Sequence, residues 1–371
     1  MDKSAPGFTR STTPPKDGAS ARAVDSPDPK GEFRVRVHDH DDHIFEPSPA
    51  VPTKPQPFNP KKHRYLPIAV PVIMVGNIVV FILMMYYNNC PSNITAGRKC
   101  VGDWLKPLSF QPWDENPMLG PRSAAILKWG GLESNLVTKH GEGWRLASAI
   151  ALNGGVLQLC FNLIVLLIVG TRMEFTFWFA KVSLVYIISG FGGSVLSALF
   201  IQNQVFAGAG GAICGLIGAG LADMFMNWPV TERKIFKLID LILFLLISLG
   251  FGLMPQVDNF ANVGGLATGF LLGLVLLKRP QKGFKDTRHL SQLEAFIVNN
   301  EDPDLPPVKM YKISQRVVSW IAFIVVLGLL TAGTVILLLD KFRVNKGCSW
   351  CHYAACVPNL KWECPGIYAN P

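Results

Sequence analysis

Apolar residues along this chain gather in long runs and do not alternate with polar ones. Seven runs approach the roughly 20 mostly apolar residues that a helix needs to cross a bilayer. They lie at about 66–86, 146–170, 182–201, 211–228, 238–254, 260–277 and 317–339. Runs of this length are typical of transmembrane helices, because backbone polar groups in lipid must pair within their own segment. The pattern therefore predicts an all-α polytopic membrane protein with seven spans.

The spans divide the chain into three regions. Residues 1–65 are rich in Pro, Ser, Lys and Asp and have too few large apolar side chains for a core, which predicts a disordered tail. Residues 66–339 form the predicted membrane domain, and residues 340–371 form a cysteine-rich tail. The run from His38 to His43 alternates His and Asp as some metal-binding tracts do, but the same residues are typical of a solvated segment. We predict no metal site there.

Composition agrees with a membrane protein and excludes an ordinary soluble domain. The 371 residues are 49% hydrophobic and 16% charged, with a mean hydropathy of +0.29. The net charge of +9 does not indicate nucleic-acid binding, because the basic residues lie mainly beside the spans. The start of the chain is polar and lacks the apolar core of a signal peptide, so we expect the first span to direct insertion.

Basic residues also predict the orientation in the membrane. They precede the first span and fill alternate short loops, which should face the cytosol. The N-terminal tail is then cytosolic, and both the loop at about 87–142 and the C-terminal tail are lumenal or extracellular. We predict an integral membrane protein of the secretory pathway, in the Golgi, the endoplasmic reticulum or the plasma membrane.

The cysteines test this orientation independently, because disulfides persist in oxidising compartments. Six of the eight lie on the predicted lumenal side: Cys90, Cys100, Cys348, Cys351, Cys356 and Cys364. We expect a local Cys90–Cys100 bridge and two bridges among the other four, which allow three pairings. A zinc site, free thiols, or haem attachment at Cys348-Ser-Trp-Cys351-His352 are the alternatives for the tail. Asn93-Ile94-Thr95 is a glycosylation sequon on the same side.

Five short motifs occur in the chain in a fixed order. They are Glu142-Gly143-Trp144-Arg145, Gly170-Thr-Arg-Met-Glu174, Ser189-Gly-Phe-Gly-Gly-Ser194, Gly208-Ala-Gly-Gly-Ala212 and Ala261-Asn-Val-Gly-Gly-Leu-Ala-Thr-Gly269. Over about residues 67–339 this set resembles the rhomboid family of intramembrane serine proteases, with Trp144 and Arg145 matching its first-loop motif. The resemblance implies a six-helix core plus one C-terminal helix. The seventh span and the cysteine-rich tail resemble the plant secretory-pathway branch.

Two departures from the family pattern concern the catalytic pair. Gly210 stands where the resemblance implies the nucleophilic serine, and glycine has no side-chain atom that could attack a carbonyl. Asn262 stands where it implies the histidine base, and an amide does not accept a proton near neutral pH. Cys214 lies one helical turn beyond Gly210 and is the alternative nucleophile, although no histidine is apparent beside it. The sequence therefore predicts an inactive homologue with no catalytic residue and no cofactor.

Other polar and small residues have two interpretations each. Gln158 replaces a histidine that in the family assists the oxyanion hole, and Asn162 matches the family's asparagine. These two side chains either donate to a bound client carbonyl or only join helices by hydrogen bonds. The glycines spaced by four in the fourth and sixth spans indicate close helix packing whatever the function.

Three classes of function are compatible with these features. The first is an inactive protease homologue that binds transmembrane segments of client proteins within the bilayer and affects their trafficking or stability. The second is an active protease with an unusual nucleophile, and the third is a membrane scaffold or transporter. Transport is disfavoured because Glu174, Asp223, Asp240 and Asp258 fall near predicted span ends and not in mid-membrane.

Overall fold

The computed structural model describes residues 66–94, 98–201, 204–228, 231, 233–279 and 313–339. The predicted tails 1–65 and 340–371 lie outside the described residues. So do the His/Asp tract and the four C-terminal cysteines, Cys348, Cys351, Cys356 and Cys364.

Helices account for most of the described chain. They are α1 (Ala69–Asn88), α2 (Cys90–Asn93), α3 (Ser123–Lys128), α4 (Ser134–Lys139), α5 (Arg145–Ser148), α6 (Val156–Val165), α7 (Thr171–Thr176), α8 (Phe179–Phe200), α9 (Ala209–Asn227), α10 (Lys234–Phe251), α11 (Asn259–Leu276) and α12 (Ile313–Leu338). A π-helical turn, Leu166–Gly170, joins α6 to α7, and 3₁₀ turns cover Asp103–Leu108 and Ala149–Ala151. The described residues contain two isolated β-bridges and no strand.

The predicted fold class is confirmed. Six helical segments of the described chain are long and apolar enough to cross a membrane: α1 with α2, α6 with α7, α8, α9, α11 and α12. The remaining predicted span corresponds to α10, which has 18 residues but carries Lys234, Lys237 and Asp240 in its first two turns.

The start of the second predicted span was wrong. The sequence predicts one helix from Leu146, whereas the chain makes short helical turns there and α6 begins at Val156. The break occurs because Gly155 is extended and lies against the first loop, where a Cβ would overlap the carbonyl group of Met118. Carbonyl groups of the loop also accept hydrogen bonds from the first backbone N–H groups of α6, since Val156 N donates to Leu119 O at 3.0 Å.

Helix α9 is the centre of the bundle, with nearly all of its residues buried. It meets α11 along glycines, so that a Cβ on Gly265 would overlap the backbone of Gly211 and one on Gly269 the backbone of Gly215. A Cβ on Gly273 would come within 2.6 Å of the Ala222 side chain. The predicted close packing of the fourth and sixth spans is confirmed, because only small residues allow two helix backbones to approach this closely.

Carboxylates fix the bundle end at which α1 starts and α9 and α11 finish. Glu174 on α7 is fully buried and accepts the backbone N–H groups of Ile68, Ala69 and Val70 at 2.6 to 2.9 Å. Asp223 on α9 accepts two hydrogen bonds from the Arg279 guanidinium, at 2.6 and 3.0 Å. Both carboxylates are therefore structural groups at helix ends.

Helix α12 starts at this same end of the bundle. Gln315 Nε2 donates to Met226 O at the end of α9, and Ser319 Oγ donates to Leu274 O near the end of α11. At the other end of α12, Leu337 belongs to a buried cluster with Leu132 of the first loop. Helix α12 therefore finishes on the side of the first loop, opposite the start of α1.

Candidate functional site

The site lies at the loop-side end of the bundle, where α9 and α11 begin. The first turn of α9 is held by loop carbonyls, because Gly208 N donates to Ala149 O at 2.9 Å and Ala209 N donates to Leu152 O at 3.1 Å. Asp258 caps α11 by accepting Ala261 N at 2.7 Å. Both helix starts are thus fixed by surrounding segments, as a site built across two helices requires.

Three positions predicted from the sequence meet at this point. A Cβ placed on Gly210 would lie 2.7 Å from Asn262 Oδ1 and 3.4 Å from Gln158 Nε2. Gly210 is on α9, Asn262 on α11 and Gln158 on α6, and all three are buried. The amide oxygen of Asn262 occupies the space into which a side chain at position 210 would point.

The orientation of the Asn262 amide follows from its partners. Its Nδ2 donates to Ser248 O at 3.0 Å and to Asn259 Oδ1 at 3.3 Å, and both of these atoms can only accept. Its Oδ1 therefore faces Gly210, and no donor among the described residues reaches it. The arrangement leaves one buried acceptor unpaired, and neither Gly210 nor Asn262 supplies a nucleophile or a proton acceptor near neutral pH.

Gln158 and Asn162 take different partners although they share a helix face. Gln158 Oε1 accepts Gly154 N at 2.7 Å, which leaves its Nε2 directed to the space at Gly210. Asn162 Nδ2 donates to Asn153 Oδ1 at 2.8 Å, and Asn153 Nδ2 in turn donates to Asn77 Oδ1 at 3.0 Å. Asn162 thus links α6 through Asn153 to α1, whereas Gln158 borders the site.

Cys214 faces another helix. Its Sγ lies 3.0 Å from Ser248 Oγ on α10, in a fully buried position. The described residues contain no group of three or more His, Cys, Asp or Glu side chains that could hold a metal ion.

The first-loop motif organises the loop. Arg145 is buried and donates through Nη1 to Leu127 O at 2.7 Å and Gly131 O at 3.0 Å. Its Nε lies 2.5 Å from Glu142 Oε2, and its guanidinium lies 4.8 Å from the ring centroid of Trp144, which is exposed. Arg145 therefore supports the loop backbone, and Trp144 covers the guanidinium from outside.

The site is covered on the loop side by residues that the sequence did not single out. Asn116 Nδ2 lies within hydrogen-bond distance of Gly154 O at 2.8 Å and Gln256 Oε1 at 2.7 Å, which ties the first loop to the segments before α6 and α11. Met118 of the same loop is fully buried. The only sequence signal for the cover was the pair Gly154-Gly155, which marks a close backbone approach.

On the membrane side, aromatic rings lie between α6 and α10. The ring of Phe161 is 5.4 Å from that of Phe251 and 6.2 Å from that of Phe244, measured between centroids. These three side chains fill the gap between the two helices that carry Gln158 and Ser248.

The predicted Cys90–Cys100 disulfide is confirmed, with an S–S distance of 2.06 Å. Asn93 of the sequon is exposed, and its Nδ2 donates to Asn88 O at 2.9 Å. Thr95 lies outside the described residues, so glycosylation stays a prediction.

Comparison with known proteins gives consistent matches. The Rhomboid domain family matches residues 140–279. RHOMBOID-like protein 4 of Arabidopsis thaliana is 42% identical over 303 residues, which cover 81% of this chain and 72% of that protein. RHOMBOID-like protein 6, mitochondrial, from the same plant is 42% identical over 295 residues, which cover 79% of this chain and 92% of that protein. Inactive RHOMBOID-like protein 8, also from this plant, is 34% identical over 295 residues, which cover 80% of this chain and 82% of that protein. On this identity over most of both sequences, the chain belongs to the rhomboid family.

Proposed function

We propose that this protein is a rhomboid without proteolytic activity that binds transmembrane segments of client membrane proteins and affects their trafficking or stability. The observation that carries the proposal is the meeting of Gly210 and Asn262 at the bundle end, where a catalytic pair would have to meet. The scaffold keeps the approach of the two helices and lacks the groups for chemistry.

The size of the catalytic loss follows from the roles of the missing groups. Acyl transfer by a serine protease needs a hydroxyl nucleophile and a base within hydrogen-bond reach of it. In one serine protease, loss of either group alone lowers kcat by about a million-fold. Cys214 is a poor substitute, because its sulfur contacts Ser248 and no described histidine is hydrogen-bonded to it.

A cleavage assay tests the loss of activity. The purified chain in lipid vesicles, mixed with reporter transmembrane substrates, is expected to give no product, and a fluorophosphonate probe is expected to leave it unlabelled because Gly210 has no hydroxyl. An active rhomboid protease in the same vesicles serves as the positive control. Reproducible cleavage that Cys214→Ala abolishes would overturn the proposal.

Restoring the serine and the histidine tests whether the site keeps the geometry that proteolysis needs. Gly210→Ser alone should stay inactive, because Asn262 provides no base and its Oδ1 lies 2.7 Å from the new Cβ. The double variant Gly210→Ser with Asn262→His supplies both a hydroxyl nucleophile and a base. Slow cleavage by the double variant alone would support a retained catalytic geometry, while Gln158 would still leave an altered oxyanion site.

Client binding is tested by proximity labelling and co-purification from native membranes. The natural chain and the double variant are expected to capture the same single-span proteins, since binding in this proposal does not depend on catalysis. If neither captures any transmembrane protein, client binding is wrong and the function lies in the tails.

We further propose that the N-terminus is cytosolic and the C-terminus is lumenal or extracellular, in the secretory pathway. Support comes from the basic residues at 61, 62 and 64 before α1, and from the Cys90–Cys100 disulfide in the first loop. Tags at the two ends should differ in protease protection in sealed vesicles. Equal protection of both tags would contradict this orientation.

A further inference from the structure

An open cleft lies at the loop-side end of α1, away from the site at Gly210. It is formed by the ends of α1 and α2 and by the 3₁₀ turn Asp103–Leu108, and its volume is about 490 Å³. This volume falls within the roughly 300–1,000 Å³ that is typical of ligand clefts. The cleft is lined by six residues: Tyr86, Asn89, Pro91, Asp103, Lys106 and Pro107.

The cleft lies where the first span leaves the membrane. Helix α1 is an apolar span, and its last turn carries two exposed tyrosines, Tyr86 and Tyr87. Trp104 on the 3₁₀ turn is 81% exposed. Aromatic rings of this kind are enriched at the level of the lipid headgroups, because they have both an apolar and a polar part. Lipid headgroups are therefore the molecules nearest to the cleft.

Two opposite charges border the cleft without pairing with each other. Asp103 and Lys106 are exposed, and no ion pair joins either of them to any residue of the described chain. The cleft therefore offers a carboxylate and an ammonium group separately. A ligand that carries one charge of each sign would pair with both of them.

The rest of the lining favours a particular cation. Tyr86 contributes an aromatic ring, and Pro91 and Pro107 contribute two saturated rings. A quaternary ammonium group has no N–H to donate and is attracted to carboxylates and to aromatic faces. A primary ammonium group needs acceptors for three N–H groups, which ring surfaces do not supply. Asp103 and Tyr86 therefore match a choline group, and Lys106 matches a phosphate.

The walls of the cleft are joined by covalent and backbone bonds. The Cys90–Cys100 disulfide links the residue before Pro91 to the segment that leads into the 3₁₀ turn. On either side of this turn, Val101 and Phe110 exchange two backbone hydrogen bonds of 3.0 Å. A cleft that is already ordered loses less conformational freedom when a ligand binds.

We propose that this cleft binds the headgroup of phosphatidylcholine at the loop-side surface of the membrane. The choline group pairs with the Asp103 carboxylate and the Tyr86 ring, and a phosphate oxygen accepts a hydrogen bond from Lys106 Nζ. This binding makes the first loop a lipid-binding element. It is independent of the proposed client binding, because the cleft shares no residue with the site at Gly210 and Asn262.

The test is native mass spectrometry of the full chain in detergent, with one lipid added at a time. The lipids are phosphatidylcholine, phosphatidylethanolamine and phosphatidylglycerol with the same acyl chains, and the affinity of the first bound molecule is compared. Phosphatidylcholine is expected to bind roughly two- to fivefold more tightly than phosphatidylglycerol, which has a phosphate but no cation.

Three variants should change these affinities in different ways. Asp103→Asn should lower the affinity for phosphatidylcholine roughly two- to fivefold without lowering that for phosphatidylglycerol, whereas Lys106→Gln should lower both. Tyr86→Leu should weaken the binding of phosphatidylcholine more than that of phosphatidylethanolamine. Lys139→Gln is the matched control, because Lys139 is an exposed basic residue of the same loop outside the cleft, and it should leave all three affinities unchanged.

The outcomes separate the cleft from the spans and from client binding. Equal affinity of the natural chain for phosphatidylcholine and phosphatidylglycerol would overturn the proposal. So would tight binding of phosphatidylcholine that none of the three cleft variants weakens, once thermal unfolding in detergent shows that they fold. If phosphatidylethanolamine binds as tightly and Tyr86→Leu weakens both lipids equally, the choline assignment is wrong. A failure to capture transmembrane clients concerns only the proposed function, because lipid binding is measured without them.

Discussion

The helix pair α9 and α11 ends differently on the two sides of the bundle. At the end near Asp223, the carboxylate accepts Arg279 Nη2 at 2.6 Å and Nε at 3.0 Å, and Asn227 Nδ2 at 2.9 Å. At the loop-side end, Asn262 Oδ1 is buried and unpaired within the described chain. Polar groups at one end stabilise the pair by hydrogen bonds and an ion pair, whereas those at the other end include an acceptor without a described partner.

The largest expected effect is at the paired end. Asp223→Ala leaves the Arg279 guanidinium, which is only 21% exposed, without its carboxylate. Breaking a buried ion pair by removing one partner costs roughly 3 kcal/mol or more. Chemical unfolding of the purified chain in detergent should show a loss of this size.

The control is the second ion pair on the same side. Arg172 and Asp240 lie 3.0 Å apart but are 52% and 41% exposed, so Asp240→Ala should cost at most about 1 kcal/mol. Equal losses for Asp223→Ala and Asp240→Ala would contradict the view that burial makes the Asp223 end structural.

The helices were largely predictable from the sequence, because their runs of apolar residues are long. The glycine contacts were predictable as well, since glycines spaced by four residues mark a face that can approach another helix. The break before α6 was not, because it depends on Met118, which lies 37 residues before Gly155 in a loop with no regular pattern.

The site was predictable in its members and not in its contacts. The resemblance to rhomboids identified Gly210, Asn262 and Gln158, which the structure brings together. Sequence could not decide which of Gln158 and Asn162 borders the site, because both lie on one face of α6. The difference arises from Asn153 and Asn77, polar partners on other segments that engage Asn162 and leave Gln158 at the site.

A smaller effect is expected in the middle of the helix pair, between its two ends. Gly269→Ala places a Cβ against the backbone of Gly215, and overpacking of this kind typically costs about 1–3 kcal/mol. Gly328→Ala on α12 has open space and should not destabilise the chain. If the two alanine variants unfold at the same denaturant concentration, the helices do not depend on glycine contact.

At the unpaired end the expected cost is lower still. Asn262→Ala removes the bond to Ser248 O but also removes the unpaired Oδ1, so the two contributions oppose each other. The unfolding free energy should change by no more than about 1 kcal/mol. A loss as large as that of Asp223→Ala, measured in the same detergent, would mean that Asn262 is a structural group and would remove the contrast between the two ends.

The smallest change in absolute stability is expected at Asp258, the carboxylate of the loop-side end. Its partners are the Ser197 hydroxyl and the backbone N–H groups of Phe260 and Ala261, and burial raises its pKa to about 6, from an ordinary value of 3.8. Because Asn caps helices about as well as Asp, Asp258→Asn should alter the unfolding free energy by less than about 0.5 kcal/mol at pH 5.

The pH dependence is the sharper measurement for this residue. An acid whose pKa is higher in the folded state than in the unfolded state binds its proton more tightly when the chain is folded. Its stabilising contribution to the free energy of unfolding is therefore present below about pH 4 and is lost as the pH rises through about 6. The unfolding temperature of the natural chain should therefore fall across this interval by more than that of Asp258→Asn. Parallel curves for the natural chain and Asp258→Asn would show that Asp258 keeps its charge on folding at no cost, and the difference between the carboxylates at the two ends would then be one of position only.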